Sequence, residues 1–146
     1  MDGPTTPALR VCVPTHLEMV RPVRRILESL LASEGWSEDD VADVGLVATE
    51  ILQNAVEHGS RNDGHEAVEV RCEIFGREVV IEVSDPGTGK GVDSLLLQDP
   101  ERPPPEDSSR GRGLYLVQRI ARRMDRLRAP HGGSLLRVRM APEGGA

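Results

Sequence analysis

The spacing of hydrophobic and polar positions changes along the chain, and each change marks an element. Leu9 to Val13 alternates and stops at Pro14, which predicts a short edge strand. Val20, Val23, Ile26, Leu27, Leu30 and Leu31 then recur at helical spacing up to a stop at Gly35. Thr15-His-Leu-Glu18 has the form of a capping box, and Pro22 puts the start of the regular helix near Arg21, with the proline in its first turn. Ser37-Glu-Asp-Asp40 is a second capping signal, so the next helix runs from about Glu38 to His58 with Gly59 as a left-handed cap. Val41, Val44, Ala48, Ile51, Leu52 and Ala55 form its apolar arc, with Asp43, Glu50, Asn54 and Glu57 opposite. Such a polar stripe is either a solvated face or one edge of a site.

Two strand runs, Ala67 to Phe75 and Arg77 to Ser84, flank a tight connection at Gly76 and predict a hairpin. From Asp85 to Arg112 come five prolines and four glycines with no apolar period, a composition suited to a lid over a ligand. Gly113 to Met124 reads as a helix with Leu114, Val117, Ile120 and Ala121 inward and its arginines outward. Arg126 to Ala129, a turn at Pro130-His-Gly-Gly133 and Leu135 to Met140 read as a closing hairpin. This order predicts an α+β fold, a two-layer sandwich with helices on one face of a mixed, mainly antiparallel sheet. One domain is expected over residues 1–146, ordered over about 8–140, with a lid at 86–112.

Composition narrows the picture. With aromatics at 2% the core must be aliphatic, and Trp36 is the one large ring available to close a helical hairpin. A net charge of −6 argues against non-specific nucleic-acid binding, which needs surplus Lys and Arg. Nine arginines nevertheless lie between Arg110 and Arg139. Arg119, Arg122, Arg123 and Arg126 fall on one predicted helix, as a solvated face or as a surface for an acidic partner. Cys12 and Cys72 lack metal-ligand spacing and are expected as buried free thiols of a reducing cytosol. No stretch reaches the roughly 20 apolar residues of a membrane span, and the first residues lack the pattern of a signal peptide, so a soluble cytoplasmic protein is expected.

Three segments carry candidate chemistry. In Glu50-Ile-Leu-Gln-Asn54 a carboxylate and an amide leave one helix face a turn apart, as a metal-and-base edge would require. Mg²⁺ keeps most of its waters, so Asn54 suffices as its direct protein ligand beside nucleotide phosphates, and Glu50 is placed to deprotonate an attacking hydroxyl. In Asp85-Pro-Gly87-Thr-Gly89 an acid and two glycines follow a strand. A buried carboxylate there accepts from the exocyclic amine of adenine and rejects guanine, whose corresponding atom is an acceptor, while Gly87 and Gly89 let backbone pass close to base and ribose. In Gly111-Arg-Gly113-Leu114 glycines open a helix and offer backbone N–H groups to phosphates, with Arg110 or Arg112 free to reach the γ-phosphate. Taken alone, the acid and glycines after the strand describe an ordinary turn, and Glu50 a solvated carboxylate. Gly87-Thr-Gly-Lys90 is not a P-loop, because Ser84 and Gly91 stand where that motif needs a glycine and a Ser or Thr. His58 and His131 show no metal-ligand spacing and are expected as cap or turn residues.

Together these segments resemble the Bergerat-type ATP-binding domain of the GHKL superfamily. The likeness is greatest to the anti-sigma-factor serine kinases of bacterial partner-switching pathways, and it covers about residues 8 to 140. The resemblance implies that Glu50 is the base, that Asn54 binds Mg²⁺, that Asp85, Gly87 and Gly89 form the adenine box, and that Gly111, Gly113 and Leu114 end the ATP lid. It implies ATP and Mg²⁺ as cofactors, a sigma factor and an anti-anti-sigma protein of STAS type as partners, and a homodimer. Ser134, after Gly132-Gly133, stands where the family commonly has a Thr that helps at the adenine, and Lys90 stands where an apolar residue is more usual. Pro103-Pro-Pro105 makes the lid stiffer than most. Two functions follow: a serine-protein kinase that is also an anti-sigma factor, or a nucleotide-regulated module that sequesters a partner without phosphate transfer. The carboxylate at Glu50 favours the first.

Overall fold

The computed structural model describes residues 8–89 and 112–141. In chain order the elements are β1 (Ala8–Pro14), α1 (Val20–Ser33), α2 (Glu38–His58), β2 (Ala67–Phe75), β3 (Glu78–Asp85), α3 (Arg112–Ile120), β4 (Arg123–Arg128) and β5 (Ser134–Met140). The strands form one sheet in the order β1-β2-β3-β5-β4. Every adjacent pair is antiparallel, so the parallel pairing of the expected mixed sheet does not occur among the described residues. The reason is connectivity. Two helices separate β1 from β2 and reverse the chain twice, which leaves those strands antiparallel. β3 and β4 are each antiparallel to β5 and so run parallel to one another, but β5 lies between them.

Alternation sorts the sheet into two faces. Val68, Val70, Cys72 and Ile74 of β2 and Val79, Ile81 and Val83 of β3 are buried beneath the helices. The opposite face carries charge, paired across strands as Arg10–Glu69 at 3.4 Å, Arg137–Glu82 at 3.3 Å and Arg139–Glu78 at 3.1 Å. Pairs this exposed contribute about 0–1 kcal/mol each, and their main effect is to keep that face polar.

The helices pack as their patterns require. Val20, Val23, Leu27 and Leu31 of α1 are buried, whereas Ile26 lies off the stripe at 43% exposure. Ser37 Oγ accepts from Asp40 N at 3.2 Å, and Glu38, Asp39 and Asp40 place negative charge at the positive end of α2. Besides the predicted arc, α2 buries Val47 and Val56, because it contacts α1, α3 and the sheet at once. Trp36 packs against the core at the α1–α2 turn, where Gly35 has a φ of 85°.

Several expectations are corrected. Thr15 does not cap the first helix. A 3₁₀ turn at Leu17–Met19 comes first, with no side-chain cap, and the fully buried Thr15 instead accepts from Gly64 N at 3.1 Å, tying the loop before β2 to the end of β1. Gly59 is right-handed, with φ −90° and ψ −10°, because its task is steric, as shown below. The third helix ends at Ile120, not Met124. Arg123 and Arg126 lie on β4 and Arg122 in the link before it, since the β5 edge offers ladder hydrogen bonds to a run with no helix cap of its own. Cys12 is exposed on the outer face of edge strand β1; Cys72 is buried, and burial, then Glu73, pushes its thiol up to about 12. No described helix is long and apolar enough to cross a membrane.

Candidate functional site

The edge of α2, the end of β3 and the start of α3 meet at one cavity. Asn54 faces it from α2, Asp85 from β3, Leu114 from α3, Arg126 from β4 and Ser134 from β5, while Ile51, Val83 and Leu136 supply apolar walls. Its volume of about 20 Å³ holds roughly one water, so any larger occupant must displace a lining side chain.

Asp85 is the buried polar group of this cavity, at 6% exposure. It is the last residue of β3 and faces the helices by strand alternation. Its Oδ1 accepts from Gly87 N at 2.8 Å and from Ser134 N at 3.4 Å. Two glycines make room for it. A Cβ on Gly59 would overlap the Asp85 carboxylate, and a Cβ on Gly133 would overlap the Asp85 carbonyl oxygen. Burial pushes the Asp85 carboxyl up; the two backbone N–H groups and the charges of Arg126 and His131 oppose it.

Gly87 and Gly89 do not line the cavity. Gly87, with a φ of 74°, donates to Gly59 O at 3.0 Å, and a Cβ on Gly89 would overlap the His58 carbonyl. They dock the strand end onto the C-terminus of α2. His131 is a turn residue as expected, with Nε2 3.0 Å from Ser84 Oγ, and His58 lies in the last turn of α2.

Glu50 is half-buried, and its carboxylate lies where a Cβ on Gly113 would fall, so the start of α3 closes directly over it. Burial first, and the neighbouring Glu57 second, raise its pKa. Arg112 begins α3, while Arg110, Gly111, Lys90 and Pro103 to Pro105 lie outside the described residues. Among the described residues no three His, Cys, Asp or Glu side chains converge as a metal site. A cation here would rest on Asn54 and on oxygens brought by a ligand.

Three residues at this site escape sequence reasoning. The glycines at 59 and 133 matter through Asp85, a contact between distant segments that no local pattern signals. Arg126, read both on a helix face and at the start of the closing hairpin, lies on β4, faces the cavity and donates from Nη2 to Ser134 Oγ at 2.8 Å. The alternation of Met124 and Arg126 with Arg123, Asp125 and Leu127 was the available signal.

An apolar slot with a buried carboxylate at one end suits a flat ring carrying an exocyclic N–H, and the amide and carboxylate on α2 suit a metal-bound phosphate chain. Comparison with known proteins agrees with that chemistry. The profile of the family described as the histidine kinase-like ATPase domain matches residues 13–140. The serine-protein kinase RsbW of Bacillus licheniformis is 31% identical over 119 residues, covering 79% of this chain and 72% of that protein. RsbW of Bacillus subtilis is 28% identical over 126 residues, covering 83% and 77%. The anti-sigma F factor of Oceanobacillus iheyensis is 26% identical over 98 residues, covering 66% of each. The same fold is found in the crystal structure of the RsbU and RsbW domains of a Mycobacterium tuberculosis protein, at TM-score 0.65 and 22% identity, covering 93% of this chain and 32% of that one. It is found again in the SiaB–SiaC complex of Pseudomonas aeruginosa, at TM-score 0.63 and 17% identity, covering 92% and 89%. The chain therefore belongs to the histidine kinase-like ATPase domain family, with RsbW serine-protein kinases among its relatives.

Proposed function

We propose that the protein is an Mg²⁺- and ATP-dependent serine-protein kinase that also acts as an anti-sigma factor, phosphorylating a serine of an anti-anti-sigma partner and sequestering a sigma factor. The observation that carries this is the convergence of Asn54, Asp85 and Leu114 on one cavity, with Glu50 beside the start of α3. In this reading Asp85 accepts from the adenine amine, Ser134 assists at the base, and Asn54 holds Mg²⁺ through its carbonyl oxygen. The bound Mg²⁺ neutralises charge developing on the transferred phosphoryl group. Glu50 orients the acceptor serine and takes its proton, a role favoured by a carboxyl whose pKa burial raises. Gly111, Gly113 and the arginines at 110 and 112 belong to the lid that encloses the phosphates. A homodimer in the cytoplasm is part of the proposal.

The test incubates the purified protein with Mg²⁺, γ-labelled ATP and candidate anti-anti-sigma proteins, comparing wild type with Glu50→Gln. Label on a partner serine that disappears in the variant supports the kinase. Tight ATP binding with no labelled partner identifies instead a nucleotide-regulated module that sequesters its partner without chemistry.

A further inference from the structure

We infer that Glu66 is a positioning residue for the base end of the nucleotide site, acting through Thr88 to hold Gly87 against Asp85. The inference rests on the nucleotide-site reading above and concerns what keeps that end in one geometry.

The turn after β3 has few constraints of its own. Thr88 stands between Gly87 and Gly89, and glycine loses more conformational freedom on ordering than any other residue. Its backbone must nevertheless be fixed, because Gly87 N donates to Asp85 Oδ1 at 2.8 Å as well as to Gly59 O at 3.0 Å. Between the two glycines the side chain that can fix it is that of Thr88. Its Oγ1 donates to both carboxylate oxygens of Glu66, at 2.9 Å to Oε1 and 2.8 Å to Oε2. A hydroxyl carries one proton, so this is a single donation shared between the two oxygens of a carboxylate.

Glu66 is held in turn from two other directions. Its Oε1 accepts from Arg61 N, in the loop after α2, at 2.9 Å, and its carbonyl oxygen accepts from Thr15 N, past the end of β1, at 3.1 Å. Thr15 is fully buried and also receives Gly64 N at 3.1 Å, and Glu66 immediately precedes β2, whose Ala67 pairs with Pro14 of β1. One carboxylate therefore joins the end of β1, the loop after α2 and the turn after β3. Thr88 is exposed, so its bond adds little to the core and acts on the turn alone. Released from Glu66, the turn regains freedom, Gly87 N spends less time on Asp85 Oδ1, and the carboxylate that meets the base loses a donor that orients it.

Titration calorimetry with ATP and Mg²⁺ on wild type, Glu66→Ala, Glu66→Gln, Thr88→Val and the Glu66→Ala, Thr88→Val double variant tests this. Glu66→Ala and Thr88→Val are each expected to weaken ATP binding by roughly two- to tenfold, the scale of one hydrogen bond. The double variant is expected to be no weaker than Glu66→Ala, because both changes remove the same contact. Glu66→Gln, which keeps an acceptor oxygen, is expected to recover most of the loss, as a role limited to filling space would not require. Thermal melts establish that each protein is folded, and Thr88→Val, a near-isosteric change at an exposed position, carries the test if Glu66→Ala is not. ATP affinity unchanged in Thr88→Val, losses that add in the double variant, or Glu66→Gln as weak as Glu66→Ala overturns the inference and leaves the nucleotide site standing. Failure of wild type to bind ATP overturns both.

Discussion

Asp85 lines the cavity and Glu50 stands beside the start of α3, and the two carboxylates are held in opposite ways. Asp85, at the end of β3, is surrounded by groups that favour its charge: two backbone N–H groups, with Arg126 and His131 nearby. Glu50, on α2, is pushed the same way by burial but gains Glu57 as a neighbour, which pushes it further. Around Asp85 the contacts are with backbone, at Gly87, Ser134 and Gly133; around Glu50 the close contact is the start of α3 at Gly113. A carboxylate fixed by backbone suits recognition, which needs one geometry. A carboxylate with a raised pKa beside the start of α3 suits proton transfer, which needs a basic group held next to the acceptor.

The sharpest way to break this contrast is to neutralise each acid in turn. Glu50→Gln is expected to lower partner phosphorylation by about 10²–10⁴-fold, the usual scale of a lost general base, while ATP affinity changes little. Asp85→Asn is expected to weaken ATP binding by roughly tenfold or more, since its amide offers a donor where the base offers one too. Calorimetry beside single-turnover labelling separates the two, and an equal loss of affinity in both variants would erase the division of roles.

The glycines sharpen the same contrast at smaller scale. Gly133→Ala sets a Cβ against the Asp85 carbonyl, which is backbone and cannot swing away, so a loss of about 1–3 kcal/mol in urea unfolding is expected together with weaker ATP binding. Gly113→Ala meets the far end of the Glu50 side chain, which can rotate aside, and a helical position gains about 0.5–1 kcal/mol from alanine. Its stability is expected to stay near wild type while phosphorylation falls. Equal destabilisation of the two would show that the start of α3 holds Glu50 as rigidly as the turn holds Asp85.

How much of this the sequence disclosed follows from range. The bounds of α2, the hairpin at Gly76 and the edge position of β1 rest on local pattern and capping, and the structure places them as expected. Asn54, Asp85 and Leu114, which line one cavity, were singled out because each sits at a local signature, a helix stripe, a strand end or a glycine-opened helix. Gly59 was given the wrong reason, since its lack of a Cβ serves a residue 26 positions away rather than its own backbone. Arg126 was given two places, the helix face and the closing hairpin, because the run from Arg122 to Arg128 holds helix-compatible residues throughout. Its strand state comes from pairing with β5, a tertiary choice that overrides local propensity.

The smallest expected effect is a slope in stability with pH. Burial raises the folded-state pKa of Glu50 above its ordinary 4.5, so between those two values the folded protein holds a proton that the unfolded chain has released. Stability then falls as pH rises through that window and stays lower above it. Glu50→Gln removes the titrating group, so its melting temperature should equal or trail wild type below the window and gain on it above, in thermal melts run from pH 4 to 8. Asp85 is raised as well, but its donors oppose the shift, and Asp85→Asn also surrenders the carboxylate's bonds from Gly87 and Ser134. That variant should therefore gain less above the window than Glu50→Gln does. If Asp85→Asn gained more, the turn around Asp85 would be a poorer anchor for charge than the edge of α2, and the contrast between the two acids would be reversed.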